Sequence, residues 1–160
     1  MSFSSSGGKF ESALLHIRDE KASASEGGTG TSGTFIKRTL NTVMTNEISG
    51  ASVSSSVITL PSGTYYIDAS APAYSVVRHK IKLRNTTDSS DTLIGTSEYA
   101  NGGTAMVSRS FISGRFTITA QKNFEIQHRI QTSASTSDFG TDNSMSVIEV
   151  FADVRIWKVA

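Results

Sequence analysis

"ITLPSGTYYID", residues 58–68, contains the pattern that decides the fold class. Apolar and polar residues alternate as far as Leu60, a Pro-Ser-Gly break follows, and alternation resumes with Tyr65 and Tyr66. A period of two is typical of a strand with one buried face, and Pro and Gly favour a turn. The stretch therefore predicts two strands joined by a tight hairpin turn, with Tyr65 in the core and Tyr66 on the outside.

The same alternation extends over most of the chain. We predict strands over residues 12–18, 34–40, 52–60, 64–73, 77–86, 92–98, 105–112, 115–120, 123–132 and 147–158. Clusters of Gly, Asn, Asp and Ser separate these ranges, and helical periodicity is nearly absent. Many short strands of this kind predict one all-β domain over residues 11–160, an antiparallel sandwich or barrel.

Composition restricts the classes of function. The chain has 160 residues, a net charge of +1 and only 18% charged residues, which does not favour nucleic-acid binding. It has no cysteine, so disulfides and thiolate metal sites are excluded. No apolar run is long enough for a membrane span, and residues 1–10 lack the features of a signal peptide. We therefore expect synthesis in a cytoplasm and no membrane insertion.

The last predicted strand has an unusual outer face. The predicted core face consists of Ile148, Val150, Ala152, Val154 and Ile156. The opposite face consists of Val147, Glu149, Phe151, Asp153, Arg155, Trp157 and Val159. Polar residues are expected there, so two aromatic residues among charges indicate a contact with another subunit. The alternative is that loops of the same chain, such as 19–33, cover Phe151 and Trp157.

Two further strands have outer faces that contribute to the same hypothesis. Residues 64–73 direct Tyr66 and Asp68 outward, and residues 123–132 direct a polar face outward. We predict a subunit interface made of Tyr66, Asp68, Glu125, Gln127, Arg129, Glu149, Phe151, Asp153, Arg155 and Trp157. Aromatic residues are enriched at interfaces, and charges of both signs can pair between copies.

Two segments resemble a known superfamily. "LPSGTYYI" (60–67) and "ADVRIWKV" (152–159) are similar to the central and closing strands of the tumour necrosis factor (TNF) and complement globular-head superfamily. The resemblance extends over roughly residues 10–159, nearly the whole chain. It implies a jelly-roll β-sandwich that associates as a homotrimer around a threefold axis.

A closer resemblance is to proteins of tailed bacteriophages. It is found in "ALLHIRDEKAS" (13–23), "LIGTSEYAN" (93–101), "SRSFISGRFTI" (108–118) and "FEIQHRIQT" (124–132), among other runs. It implies a virion structural protein, made in the host bacterial cytoplasm, that forms a trimeric knob on a fibre, spike or capsid surface for host attachment. The alternative use is a capsid decoration, cement or adaptor trimer. Residues 1–10 would then be a flexible arm that docks on other virion proteins.

One predicted strand has a basic face. Arg78, Lys80, Lys82 and Arg84 alternate along "VRHKIKLRN" (77–85) and form a stripe. The stripe is either a contact for an acidic protein, an anionic glycan or a phosphate-rich surface, or a solvated face that protects an edge strand. The aromatic residues Tyr74, Tyr99 and Phe139 are candidates for stacking on sugar rings. They form the basis of a further hypothesis, a soluble lectin-like module.

The sequence offers little for catalysis. His16, His79 and His128 lack a further ligand pattern for zinc, and no G-x-S-x-G motif is present. The glycine-rich run 26–34 lacks the Lys-Ser/Thr ending of a phosphate-binding loop. We therefore expect no enzymatic activity, no cofactor and no metal ion.

Overall fold

The computed structural model describes residues 12–101, 103–133 and 135–160. The strands are β1 (Ala13–Lys21), β2 (Ile36–Lys37), β3 (Thr42–Asn46), β4 (Ser52–Ser54), β5 (Val57–Leu60), β6 (Gly63–Tyr74), β7 (Val77–Asn85), β8 (Ser90–Ile94), β9 (Glu98–Ala100), β10 (Val107–Ile118), β11 (Lys122–Ile130) and β12 (Glu149–Lys158). No helix long and apolar enough to cross a membrane is found among the described residues. The predicted docking arm, residues 1–10, lies outside them.

The strands form two antiparallel sheets that pack face to face. Sheet A has the order β10-β6-β12-β1-β3. Sheet B has the order β4-β5-β11-β7-β8, with β2 paired to β11 and β9 paired to β7. Most connections carry the chain from one sheet to the other, as in a jelly roll. The prediction of an all-β antiparallel sandwich is therefore confirmed.

The Pro-Ser-Gly break does not close a hairpin, so that prediction is wrong. β5 belongs to sheet B and β6 belongs to sheet A, and the break is the corner where the chain crosses between sheets. The Tyr65 hydroxyl fixes this corner by donating a hydrogen bond of 2.6 Å to the carbonyl oxygen of Pro61. The Tyr65 ring is fully buried and stacks on Phe116 with 5.5 Å between ring centroids. Tyr65 therefore lies in the core, as predicted.

Further strand predictions need correction. Residues 52–60 form a hairpin of β4 and β5 because Ser55 and Ser56 adopt positive φ angles of 49° and 63°, a left-handed turn. Residues 107–118 form one strand, because Ser113 and Gly114 stay paired with β6. At Gly114 a Cβ would lie 3.2 Å from the Leu93 methyl carbons, so glycine makes room for a core side chain here. β3 was not predicted.

A bulge in β12 changes the predicted core face. Arg18 pairs with Asp153 and Glu20 pairs with Val150, so two steps along β1 correspond to three along β12. The extra residue shifts the alternation by one. As a result, Ala152, Val154 and Ile156 are buried as predicted. Ile148 and Val150, in contrast, are 54% and 38% exposed. The prediction that these two residues belong to the core is wrong.

A chain of polar groups crosses one end of the core. The Ser108 hydroxyl donates to the Tyr99 carbonyl oxygen at 3.1 Å, so its oxygen must accept from His79 Nε2 at 2.8 Å. His79 Nδ1 then accepts from His128 Nε2 at 2.9 Å. The remaining nitrogen, His128 Nδ1, is buried without a hydrogen-bond partner. Both rings are therefore neutral, each with its proton on Nε2.

Burial explains why these histidines resist protonation. Burial lowers the pKa of His79 to about 4, with Glu98 opposing the shift and Arg38 adding to it. Burial also lowers the pKa of His128 well below its usual range, helped by the charge of Arg38. An added proton would have to sit at the buried, unpartnered His128 Nδ1 while the charge of Arg38 repels it, which is costly.

Stability should therefore decrease in mild acid. His79 takes up a proton near pH 6.5 in the unfolded chain but only near pH 4 in the folded protein. The contribution of His79 to the free energy of unfolding is complete above pH 6.5. It is lost as the pH falls from 6.5 to about 4, because the unfolded state then binds more protons than the folded state. From His79 alone, we expect the free energy of unfolding to be about 2 kcal/mol lower at pH 5 than at pH 7 in urea titrations.

Two variants make this measurement specific. His79→Gln removes the titrating ring and should show a smaller acid loss. Met145→Ser is the control, since Met145 is exposed and carries no titratable group, and it should keep the acid loss of the parent. An acid loss of the same size in His79→Gln would contradict the assignment.

Candidate functional site

The outer face of sheet A, which we call the A face, combines aromatic and charged side chains in register. Its rows across neighbouring strands are Arg115–Tyr66–Trp157–Leu14, Ser113–Asp68–Arg155–His16 and Phe111–Ser70–Asp153–Arg18. Residues directly opposite each other in antiparallel strands point to the same side of a sheet. Five of the ten predicted interface residues therefore lie together on this face: Tyr66, Asp68, Asp153, Arg155 and Trp157.

Two aromatic rings form the centre of one row. Tyr66 and Trp157 are cross-strand partners, with ring centroids 6.2 Å apart and planes tilted by 48°. Tyr66 is 40% exposed, and its hydroxyl lies 2.6 Å from the Ser113 hydroxyl. Phe111, two positions along β10 from Ser113, is also exposed. The prediction that Tyr66 points away from the core of its own chain is correct.

The charged side chains around these rings are of two kinds, those that are paired within the chain and those that are not. Asp153 is saturated, because its carboxylate lies 2.6 Å from His16 Nε2, 2.6 Å from Arg155 Nη2 and 3.5 Å from Arg18 Nε. By contrast, Asp68 and Arg115 form no ion pair with any residue in the described ranges. The A face therefore presents one acid and one base that are free to pair with groups of another molecule.

The other predicted interface residues lie elsewhere. Glu125, Gln127 and Arg129 alternate with core residues of β11 and lie on the outer face of sheet B, on the opposite side of the sandwich. Because the two outer faces point in opposite directions, these three residues do not share one surface with Tyr66 and Trp157. Their assignment to the subunit interface is not tested by this placement and stays a prediction.

Phe151 and Glu149 are buried by their own chain. Phe151 is 4% exposed and packs under Gly140, whose φ of +126° and closeness to the ring and to Pro72 leave no room for a Cβ. The Lys21 ammonium lies 5.6 Å from the centroid of the same ring. Glu149 accepts hydrogen bonds from backbone N–H groups of residues 24, 143 and 144. The alternative of coverage by the chain's own loops is therefore correct for Phe151.

A depression of about 330 Å³ extends the A face beyond its aromatic row. The exposed side chains of Val107, Ile148 and Val150 line it, together with Arg109. Arg109 Nη2 donates to the carbonyl oxygen of Phe151 at 2.5 Å, which holds the guanidinium against the sheet. Sequence reasoning missed this feature because it assigned two of the three apolar residues to the core.

The outer face of sheet B contains a groove of about 580 Å³, which we call the B groove. It is lined by Gly33, Phe35, Arg78, His79, Lys80, Ser97, Glu98, Arg129, Ile130 and Gln131. Arg78 and Lys80 were predicted as part of a ligand surface, whereas Arg129 was assigned to the subunit interface. Phe35 and Glu98 were not predicted, because they come from a loop and from the short strand β9, which only the fold brings to this place.

The other half of the basic stripe is neutralised within the chain. Lys82 Nζ and Arg84 Nη1 lie 2.9 Å and 2.8 Å from the Asp91 carboxylate, and these hydrogen bonds lower the pKa of Asp91. Lys82 is only 9% exposed, with its ammonium 4.2 Å from the centroid of the Phe35 ring. β7 lies between β11 and β8, so the alternative that these lysines protect an edge strand is wrong.

The three aromatic residues proposed to stack on sugars are not grouped. Tyr99 is 50% exposed and pairs with Arg78 beside the B groove. Tyr74 is half-buried and belongs to β6 of sheet A. Phe139 is buried between the His128 ring, 5.1 Å away, and the Arg38 guanidinium, 4.2 Å away. Phe139 is therefore not available to a ligand, and that prediction is wrong.

No group of three or more His, Asp or Glu side chains in the described parts of the chain is arranged to hold a metal ion. His79 and His128 are in contact, but their third neighbour is the hydroxyl of Ser108. Three of their four nitrogens take part in the hydrogen-bonded chain described above, and the fourth, His128 Nδ1, is buried without a partner.

Comparisons with known proteins bear on the fold. No protein-family model and no curated protein matches the sequence. Among solved structures, the globular domain of zebrafish complement 1qA is similar with a TM-score of 0.59 at 9% identity, covering 92% of this chain and 98% of that chain. Murine APRIL at pH 8.5 is similar with a TM-score of 0.56 at 8% identity, covering 92% of this chain and 99% of that chain.

The chain has the TNF-like jelly-roll fold. The jelly-roll fold that the resemblance of "LPSGTYYI" and "ADVRIWKV" implied is therefore confirmed. At such low identity the similarity carries no residue-level role from those proteins to this one. The bacteriophage origin, the location and the lack of enzymatic activity stay predictions.

Truncation of Phe151 tests whether its own chain covers it. Phe151→Ala should lower the free energy of unfolding by about 3–4 kcal/mol, because it empties the space under Gly140. Urea unfolding at low protein concentration measures this cost in the single chain. Tyr99→Ala, which truncates an exposed aromatic residue on sheet B, should cost less than about 1 kcal/mol. Equal costs for both variants would contradict the burial of Phe151.

Proposed function

We propose that this protein is a structural subunit that associates with itself as a homotrimer through the A face. The observation that carries the proposal is the pair of Tyr66 and Trp157 at the centre of that face, surrounded by charges of both signs. Tyr66 and Phe111 are exposed and Trp157 is half-buried, and a cluster of aromatic residues at a surface usually marks a protein–protein interface. Desolvation of such rings is among the strongest contributions to association.

The free charges and the neighbouring depression support a contact between two different patches of the A face. Asp68 and Arg115 lack partners within the described part of the chain, so each is available to an opposite charge of a neighbouring copy. The depression beside them offers a second patch, in which the exposed apolar side chains of Val107, Ile148 and Val150 lie among polar groups. Contacts between different patches of identical chains generate closed rings when the rotation closes, and three copies form the smallest such ring above a dimer.

The proposed setting is the particle of a tailed bacteriophage. The trimer would be a knob on a fibre, spike or capsid surface and would serve attachment to the host surface. Its support is the sequence resemblance in segments such as "ALLHIRDEKAS" and "FEIQHRIQT". A decoration, cement or adaptor trimer without adhesive function is the second candidate, with residues 1–10 docking on other virion proteins in either case.

Substitution of Trp157 tests the association. Trp157→Glu places a charge at the centre of the A face, where desolvation would be costly, so the complex should dissociate. Light scattering coupled to size-exclusion chromatography should give the mass of three chains for the parent and of one chain for the variant. A parent protein of one chain, or a variant that stays trimeric, would show that the A face is not the interface.

The matched control introduces the same charge on the opposite sheet. Tyr99→Glu replaces an aromatic residue that is 50% exposed beside the B groove, so it should leave the molar mass unchanged. If both variants dissociate, the loss reflects a general defect in folding. Circular dichroism at the concentrations used for light scattering separates a folded single chain from an unfolded one.

The virion setting needs a separate experiment. Electron cryo-microscopy of whole phage particles should locate the trimer at a fibre, spike or capsid position. Binding of the purified trimer to host cells would support attachment, whereas a regular place on the capsid lattice without cell binding would support decoration. Absence of the protein from purified particles would overturn the virion proposal and leave the self-association proposal standing.

A further inference from the structure

The cations of sheet B fall into two groups that differ in their partners. Lys82 and Arg84 lie within 3 Å of Asp91, and Lys37 lies 3.9 Å from Glu125. In contrast, Arg78, Lys80 and Arg129 have no carboxylate within ion-pair distance in the described ranges, and these three cations line the B groove. Charge compensation therefore stops where the groove begins.

The placement of Lys80 and Arg129 costs stability. They are directly opposite each other in the ladder between β7 and β11, and Arg78 follows on the same face of β7. Like charges directly opposite each other destabilise a sheet. An anion between the strands would remove this repulsion, and arginine guanidinium groups suit carboxylate and sulfate groups because they donate two parallel hydrogen bonds.

An aromatic side chain forms a wall of the same groove. Phe35 lines it, and the Lys82 ammonium, 4.2 Å from the ring centroid, holds the ring by a cation–π contact. Lys82 is itself fixed by Asp91 at 2.9 Å, so the ring is positioned before any ligand arrives. A pre-positioned aromatic ring offers an apolar surface to the C–H face of a sugar ring.

Two further groups show that the groove is not built for a bare anion. Glu98 lines it as a carboxylate, which would repel a phosphate ion but would accept hydrogen bonds from hydroxyl groups. The Gln131 side chain also lines it and lies 3.4 Å from Arg78 Nη1. The ligand that satisfies all these groups therefore carries an anionic substituent, several hydroxyl groups and an apolar ring face.

We propose that the B groove binds a saccharide that carries a carboxylate or sulfate group. Lys80, Arg129 and Arg78 contact the anionic substituent, Phe35 contacts the face of the sugar ring, and Glu98 accepts from its hydroxyl groups. The volume of about 580 Å³ is within the range of small-molecule sites and accommodates one or two sugar rings.

The groove and the A face lie on opposite sides of the sandwich. A ligand in the groove would therefore meet no sister copy in a trimer formed through the A face, and the groove would face outward. The inference deepens the proposed attachment function and rests on that proposal for its biological setting. Binding by the groove itself requires only the fold of one chain.

The experiment titrates the intact protein with four probes in isothermal titration calorimetry at low salt. The probes are a trisaccharide of galacturonic acid, a sulfated galactose trisaccharide, a neutral galactose trisaccharide and inorganic phosphate. We expect at least one acidic trisaccharide to bind more tightly, by about tenfold or more, than both the neutral trisaccharide and phosphate. Only an acidic trisaccharide makes the charge-assisted hydrogen bonds as well as the ring contact. The acidic trisaccharide that binds more tightly of the two identifies the anionic group.

Variants assign the binding to the groove. Lys80→Ser and Arg129→Ser should each weaken binding of the acidic trisaccharide about tenfold or more. Phe35→Ala should weaken binding of the trisaccharide without affecting binding of phosphate. Arg84→Ser is the matched control, a cation on the same face of β7 that is paired with Asp91 outside the groove, and its affinity should equal that of the parent. Without ligand, Arg129→Ser should melt no lower than the parent, because it relieves like-charge repulsion.

Each other outcome overturns the proposal. Equal affinity for phosphate and for the acidic trisaccharides would show a simple anion site. Equal affinity for the neutral and acidic trisaccharides would show that the cations are not involved. A loss of affinity in Arg84→Ser as large as in Lys80→Ser would show nonspecific charge attraction. The molar mass of Trp157→Glu reports on the A face alone, so failure of saccharide binding and failure of trimer formation are distinguishable.

Discussion

The position of β12 in the middle of sheet A is the constraint on which the surfaces of this protein depend. β12 pairs with β1 on one side and with β6 on the other, so its side chains have to follow both ladders. The extra residue opposite Arg18 and Glu20 divides the strand into two parts with opposite alternation. Phe151 is thereby buried under Gly140, whereas Trp157 reaches the A face beside Tyr66.

The two outer faces can act independently because the apolar core separates them. Packed sheets lie about 10 Å apart, and side chains of the two outer faces point in opposite directions. The A face combines exposed aromatic rings with unpaired charges, which suits contact with another protein copy. The B groove combines unpaired cations with a fixed aromatic wall, which suits a small acidic ligand. The proposed trimer and the proposed saccharide site therefore do not compete for the same surface.

Local patterns predicted much of the fold and part of the site. The period of two identified most strands, placed Tyr65 inside and Tyr66 outside, and put Arg78 and Lys80 on one face of β7. It did not predict that the Pro-Ser-Gly break crosses between sheets, because a tight turn and a corner use the same residue types. Nor did it predict the bulge in β12, since a bulge arises from the pairing of two strands and not from one strand alone.

The sequence by itself determined most of the strands and, outside the bulged strand β12, which of their faces is apolar, because strand alternation depends on neighbours along the chain. The tertiary structure alone decided which outer faces look in the same direction. Glu125, Gln127 and Arg129 have the same local pattern as the outer residues of β12, yet they belong to the opposite sheet. Sheet membership depends on hydrogen bonds between residues far apart in sequence. For the same reason, the meeting of Phe35, Glu98 and Arg129 in one groove is a property of the folded chain only.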